Sequence, residues 1–529
     1  MKKIFLSALL ASVVLTGCSD AYDIHQAGVV TEESQVFKTE ADINKGIRYV
    51  YSIFPGESEI AFDSFFTDEL GVGIGNAGQG INDGSYTFIL LAGDANVQDM
   101  WGSYYGVVNR LNRMLSRIDE MMLEADADTD KLKEHQAHIY GLRAYCHYKL
   151  FAFFTPDYKD PNGLSVIKFD FLQTDNYSRF EKRSTVAEIV AFIESDIQKA
   201  KALGGISGTT SSSGSGYASN EMLESILIKM YSMLQTDDSY AKMEDAFNRL
   251  NLTKSVADVG TYLSMFGPSA SAADGNEGIF KLNRVSTDGT VQSGVASVWY
   301  PAQVGEQPYM EMGRSLYNEL DKLEPSKQGT PYDPSRLEAR YLSAVHSTSL
   351  VATNYASLSP DDYFLKDVLY IGKYPGIANR PLMNSLWMFR FTDMLLSLAE
   401  KRAHDNMLTG TVALGDFSNV ESIIFNIRAN RNLTNDGTAL AMPTNFSSPQ
   451  QAFARILEER RVEFAFEGQR YLDMKRLGVR AGSPGFVRDP KDCASTSACS
   501  LEPNSTKLTM PIPRSEMVSN PNMVQNPGY

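Results

Sequence analysis

Tryptophan is scarce in this chain, three in 529 residues, as are histidine, with six, and cysteine, with four. Four cysteines cannot make the disulfide framework that staples small secreted domains, so stability must come from a packed core. The chain has the material for one, since 43% of it is hydrophobic and 11% aromatic. Basic residues are outnumbered, 49 Lys and Arg against 64 Asp and Glu, for a net charge of −15. A body this acidic repels phosphate backbones and anionic head groups, which excludes nucleic acid as a partner. Metal chemistry finds little support. Glu134-His135-Gln136-Ala137-His138 sets two histidines on one helix face, but the glutamate precedes both, unlike the zinc motif HExxH. They read as exposed helix histidines, and no metal is expected. Gly73-Ile74-Gly75-Asn76-Ala77-Gly78 spells GxGxxG, yet no strand before it or helix after it is legible. A dinucleotide site needs both, so no cofactor is expected.

Long apolar runs are also missing, with one short exception at the start. Lys2 and Lys3 precede an apolar run from Ile4 to Leu15, then Thr16-Gly17-Cys18. Small residues running straight into a cysteine resemble the lipobox of bacterial lipoproteins. On that reading residues 1–17 are a signal peptide and Cys18 carries the acyl chains. Several acyl chains anchor a protein far more firmly than one. No other stretch approaches the roughly 18 apolar residues of a spanning helix. The chain is therefore expected to be tethered to a membrane without crossing it. In an exported protein, Cys493 and Cys499, bracketing the loop CASTSAC, are a plausible local disulfide. Cys146 reads as a small buried hydrophobe.

Helical periodicity dominates the remainder. Residues 39–54 predict a helix with Thr39 as N-cap and Asp42 in the first turn. Residues 55–98 read as a glycine-rich loop with a short strand at SYTFILL. Two long helices follow, at 99–122 and 131–154, separated by the acidic break EADADTD. Further pairs are expected at 184–203 with 217–234, at 385–404 with 417–431, and within 448–478, broken at Gly468. Paired helices of this length suggest tetratricopeptide-like repeats. Residues 252–384, rich in Gly, Pro, Tyr and Ser, interrupt them and read as an irregular region laid over the scaffold.

Several segments resemble one family, the SusD/RagB surface lipoproteins of Bacteroidetes. They are Trp101–Asn112, the run Gly141-Leu-Arg-Ala-Tyr-Cys-His-Tyr, Phe180–Ile189 and, above all, the C-terminal part. There Ile456–Leu477 is similar to the family's ERR-x-EF-x-FEG-x-R segment. Met510-Pro-Ile-Pro-Arg-Ser-Glu and Asn520–Tyr529 are similar to its ending. The resemblance implies a mostly α-helical fold, with about four tetratricopeptide-like units and a loop-built face. It covers residues 18–529 as one SusD-like domain. The scaffold would occupy roughly 39–54, 99–154, 184–251 and 385–478, with ligand-facing loops at 55–98 and 252–384. It also implies a non-catalytic role at the surface of the outer membrane. Such a protein captures an oligosaccharide and delivers it to a SusC-like TonB-dependent transporter. Peptide capture for the same kind of transporter, and a purely structural helical scaffold, are the alternatives.

A sugar presents flat apolar faces edged by hydroxyls, so its site wants an aromatic platform among polar side chains on preformed loops. Two stretches fit. One holds Asn82, Asp83 and Tyr86; the other runs from Trp299 and Tyr300 to Tyr309. Trp299 and Tyr300 serve equally well as plugs for the loop region's own core, and Trp387 reads as core. No constellation of catalytic residues is legible.

The most charged segment, ILEERRVEFAFEGQR (456–470), looks like an active site and is read otherwise. At about 100° per residue its charges encircle the helix, while Phe453, Leu457 and Phe464 mark one apolar side and Val462 and Phe466 another. A helix packed on two sides must lodge charges against neighbours, and buried charges persist only when paired. Arg460, Arg461, Glu463 and Glu467 are therefore expected to form structural ion pairs with other repeats.

Overall fold

The computed structural model describes residues 36–76, 84–172, 180–206, 216–268, 274–284, 308–376, 383–432 and 446–529. Cys18 and the leader lie outside these, as do Asn82, Asp83, Trp299 and Tyr300.

The described chain is mostly helical. It opens with α1 (Glu40–Ser52), where Asp42 accepts from the Thr39 amide at 3.2 Å and its hydroxyl at 2.9 Å. Next come α2 (Gly56–Phe66), the strand β1 (Leu70–Val72) and the long hairpin of α3 (Ala95–Met121) and α4 (Thr129–Phe154). Then follow α5 (Val186–Ala202), α6 (Asn220–Leu234), α7 (Asp237–Leu250) and α8 (Val259–Phe266). Past β2 (Gly278–Leu282) and β3 (Met310–Met312) come three short helices: α9 (Arg314–Asp321), α10 (Ala339–Ala344) and α11 (Pro360–Lys366). Strand β4 (Leu386–Arg390) leads into α12 (Phe391–His404), α13 (Val420–Asn430), α14 (Pro449–Glu463) and α15 (Arg470–Leu477). A small hairpin of β5 (Phe486–Val487) and β6 (Ser500–Leu501) and the helix α16 (Arg514–Ser519) complete the chain. None of the described helices is long and apolar enough to cross a membrane.

Helix α4 is the axis of the N-terminal half, buried along nearly all of its length. Two charged side chains on it dock its neighbours. Arg143 grips Asp196 of α5 through two bonds of 2.7 Å, and Lys149 reaches Glu59 of α2 at 2.6 Å. Planar guanidinium against carboxylate fixes the α4–α5 crossing in a way a point charge could not. The family-like ending laces onto the same helix: Met510 N donates to Phe153 O, and Asn526 Nδ2 to Phe154 O.

Five expectations need correction. Residues 55–98 are not loop throughout, because α2 occupies Gly56–Phe66; it buries Glu59 and Asp63 beside Ile60, Phe62 and Phe66, so no amphipathic stripe marks it. SYTFILL forms no strand: Gly84–Thr87 is a 3₁₀ turn, and Phe88 takes a positive φ of 60°. Residues 385–404 split into β4, paired antiparallel with β2, and α12. The expected pairing of 184–203 with 217–234 is replaced: α5 packs mainly on α4, and α6 on α7. His135 and His138 are buried rather than exposed, His135 against Glu40 and His138 against the Tyr51 hydroxyl. Burial pulls the His138 imidazole down to about 4, so it stays neutral. Cys146 is buried and free, and Trp387 is core, as expected.

Candidate ligand face and the charged core beneath it

Strands β1 and β3 form a two-stranded antiparallel ladder, with Leu70 opposite Met312, Gly71 opposite Glu311 and Val72 opposite Met310. The ladder continues one step outward. Gly73 N donates to Tyr309 O at 3.2 Å and Gly75 N to Pro308 O at 2.9 Å. A Cβ on Gly73 would lie 2.1 Å from the Pro308 carbonyl oxygen, so the close approach requires glycine. The GxGxxG letters thus have a structural use. A strand does precede them, contrary to the reading from sequence, but a 3₁₀ turn at Ile74–Asn76 follows where a phosphate site needs a helix. The same pairing brings together the flanks of both stretches singled out for sugar binding, at Gly73–Asn76 and Pro308–Tyr309.

Tyr309 lies there half-buried, packed against the core. Tyr86 does not offer a ligand surface. It is 1% exposed, its hydroxyl donates to Asp492 O at 2.7 Å, and its ring carries the Arg488 guanidinium at 4.0 Å. A buried tyrosine finds a partner for its hydroxyl, and this partner lies 406 residues away in sequence. Sequence reasoning missed three residues of this underlayer: Arg314, Arg488 and Asp492. Asp492 accepts from Arg314 N at 2.8 Å and from the Tyr363 hydroxyl at 3.0 Å. Burial, opposed by the Arg314 amide and reinforced by Asp489, pushes its carboxyl up to about 7. Glu311 is raised well above the usual range by the same burial and by Asp492. The only signal for Asp492 was its position next to Cys493, and the Cys493–Cys499 disulfide is formed.

The segment 456–470 is packed as structure. Arg460 bonds Asp473 of α15 at 2.7 Å and Asp393 of α12 at 2.5 Å, with both acids buried. Arg461 reaches Asp68, just ahead of β1, at 3.2 Å, and Arg470 grips the same carboxylate. Glu463 collects Arg431 at 2.8 Å, Arg390 at 3.1 Å and Arg340 at 3.6 Å; Glu467 takes Lys373 and Arg390. Burial alone would raise the Glu463 carboxyl, but the three guanidinia outweigh it and hold it down to about 2. These charges are spent on one another. Among the described residues no grouping of three His, Cys, Asp or Glu side chains could hold a metal ion.

Among the described residues, two of the surface cavities are lined largely by charged and polar side chains. One, of about 520 Å³, lies beside α9 and is lined by Asn318, Lys322, Arg461 and Asp489 among others. The second, of about 340 Å³, lies between α5, α6 and α7 around Tyr231.

A mostly helical scaffold with short antiparallel strand pairs, locked by a buried ion-pair core, defines the class. The chain belongs to the SusD/RagB family. Residues 362–529 match the SusD family model, and residues 30–210 match the model described as starch-binding associating with outer membrane. A SusD-like protein P2 from Formosa agariphila is 22% identical over the full length of both chains. Among solved structures, a SusD superfamily protein from Bacteroides thetaiotaomicron is 20% identical. The alignment covers 92% of this chain and all of that one, with a TM-score of 0.69. Another, from Bacteroides vulgatus, is 19% identical over 93% of this chain and 99% of its own, with a TM-score of 0.63. Mostly helical architecture and family membership therefore agree with the reading from sequence.

Proposed function

We propose that this protein is a surface lipoprotein of the outer membrane that captures an oligosaccharide and passes it to a SusC-like TonB-dependent transporter. Cys18 carries the anchor, and residues 18–529 act as one SusD-like unit. The observation that carries the ligand assignment is the β1–β3 ladder. It joins the described flanks of the two sequence stretches that hold Asn82, Asp83, Trp299, Tyr300 and Tyr309, which supports reading those residues as parts of one site. Aromatic faces with amide and carboxylate edges suit sugar rings. The starch-binding description of the matched family model supports a glycan over a peptide. Catalysis is not part of the proposal: hydrolysis of a glycosidic bond needs two carboxylates flanking the sugar. Several carboxylates raised above their usual range, Asp492, Glu311 and Glu69 among them, are buried in the core instead.

The test is native electrophoresis in gels containing starch, xylan or pectin, with Trp299→Ala and Tyr300→Ala as variants. Retardation that either substitution abolishes is expected, with no reducing ends released on prolonged incubation. Migration indifferent to every glycan, together with binding of peptides, would overturn the glycan assignment. Release of the protein from membranes in Cys18→Ala, and co-purification with the transporter, check the other two parts.

A further inference from the structure

The hairpin from Phe486 to Leu501 sits directly beneath the β1–β3 ladder and is closed at its tip by Cys493–Cys499. Its side chains point at the ladder's underpinnings. Arg488, 2% exposed, has no carboxylate among its hydrogen-bond partners in the described residues and spends its guanidinium on backbone carbonyls. Nε and Nη2 donate to Thr67 O at 3.1 and 2.8 Å, Nη2 to Phe65 O at 3.1 Å, and Nη1 to Ala498 O at 3.1 Å and to Tyr86 O. The rings of Tyr86 and Phe88 lie 4.0 and 4.2 Å from the guanidinium carbon. One side chain thus ties together the chain entering β1, the 84–88 turn and the hairpin itself. Four residues on, Asp492 receives the Tyr86 hydroxyl on its carbonyl and the Arg314 amide on its carboxylate. Its Oδ1 would lie only 2.6 Å from a Cβ on Gly71, so it packs directly against β1.

A guanidinium without a carboxylate partner is an expensive thing to bury for packing alone, because desolvation is then offset only by neutral acceptors. Burial accordingly pulls the Arg488 pKa down. What Arg488 gains is geometry: its planar fork reaches four backbone carbonyls on three separate segments at once.

We propose that the disulfide-closed hairpin, through Arg488 and Asp492, is the positioning element of the ligand face, holding β1 against β3 so that the chain leaving the ladder at Asn76 and entering it at Pro308 stays in register. The proposal rests on the reading of the stretches flanking the ladder as the glycan site only for what the ladder carries. Arg488 and Asp492 are positioning residues and do not touch the ligand.

Amide hydrogen exchange on the full chain tests this without any ligand. The oxidised wild type is compared with wild type reduced by dithiothreitol, with Arg488→Met, and with Cys493→Ser/Cys499→Ser. Exchange at Gly73, Gly75 and the amides of β3 should rise by about tenfold or more, while amides of α4 between Leu132 and Leu150 stay unchanged. Arg488→Lys should not restore protection, since one ammonium cannot span those carbonyls. Unchanged exchange in the ladder, or an equal rise throughout α4, would overturn the proposal. Reduction of the wild type gives the answer should a variant fail to fold. Binding to starch, xylan and pectin in native gels, run well below the melting temperature, is the second readout. Looser exchange with weaker retardation supports the positioning role, and looser exchange with undiminished retardation overturns it. A wild type that binds none of the three counts against the glycan assignment, and exchange alone then decides the hairpin's role.

Discussion

Arg431 and Glu463, 32 residues apart at the ends of α13 and α14, meet at 2.8 Å with neither side chain exposed to solvent. Glu463 also takes Arg390 and Arg340, so one carboxylate serves three guanidinia at the junction of α10, β4, α13 and α14. Removing one partner of a buried ion pair leaves charge uncompensated and costs about 3–5 kcal/mol. Glu463→Gln should lose about that much in urea unfolding. Its folded pKa of about 2 lies below the ordinary value of 4.5. The stabilisation is therefore present above 4.5 and lost as pH falls towards 2. The variant should accordingly show a flatter acid limb than the wild type between pH 4.5 and 2.

Asp492 makes the opposite prediction. Its carboxyl is raised from 3.8 to about 7, so the folded state favours the protonated form. The raised group contributes stability below pH 4, and that contribution is lost as pH climbs through 7. Asp492→Asn keeps an acceptor for the Arg314 amide and never ionises. It should be close to the wild type at pH 4 and progressively more stable relative to it up to pH 7, by a few kcal/mol at most. Above pH 7.5 the difference should level off. Melting temperatures of the two proteins across pH 4–9 decide this; parallel curves would show that Asp492 does not titrate in that window.

The sequence announced its long helices and concealed its short strands, for a physical reason. Helices α3, α4, α5 and α14 carry long stretches at helical spacing, and α1 adds Thr39 and Asp42 as a start signal. Helix α2 shows no such stripe because it is buried on several sides, with Glu59 paired to Lys149 and Asp63 accepting from the Tyr471 amide. Strands of three residues such as β1 and β3 are too short to show alternation, and their pairing spans more than 230 residues. The charge pattern of 456–470 was enough to predict ion pairs at Arg460 and Arg461. It could not name Asp393 or Asp68, since partners that distant are set by tertiary packing. Tyr86 was misread for the same reason: Asn-Asp-Gly-Ser-Tyr has the letters of a binding loop, while the acceptor that buries its hydroxyl belongs to the far C-terminal hairpin.

Arg461 separates the two roles that its segment could play. It is the more accessible of the arginine pair, 12% exposed along its side chain, and it lines the 520 Å³ cavity while bonding Asp68 and the Ser315 hydroxyl. Asp68 keeps Arg470 as a bidentate partner when Arg461 is lost. Arg461→Met should therefore cost about 1–2 kcal/mol, less than Arg460→Met, which strips one cation from the buried Asp393 and Asp473 together. Equal losses in the two variants would contradict this ranking.

Gly73 offers the sharpest separation of ladder from scaffold. A Cβ there would sit 2.1 Å from Pro308 O and 2.7 Å from its carbonyl carbon, both backbone atoms that cannot rotate away. Gly73→Ala must push the outer step of the ladder apart and break the bonds from Gly73 to Tyr309 and from Gly75 to Pro308. The cost to global stability should be about 1–3 kcal/mol, the usual range for a local backbone clash. Glycan retardation should fall further than that loss explains, because the clash acts at the root of both candidate loops. Gly102→Ala is the matching control. That position is exposed on α3 with open space around its would-be Cβ. Alanine there should stabilise by about 0.5–1 kcal/mol and leave glycan binding as it was. If the two substitutions affected binding alike, the ladder would not be what carries the ligand loops.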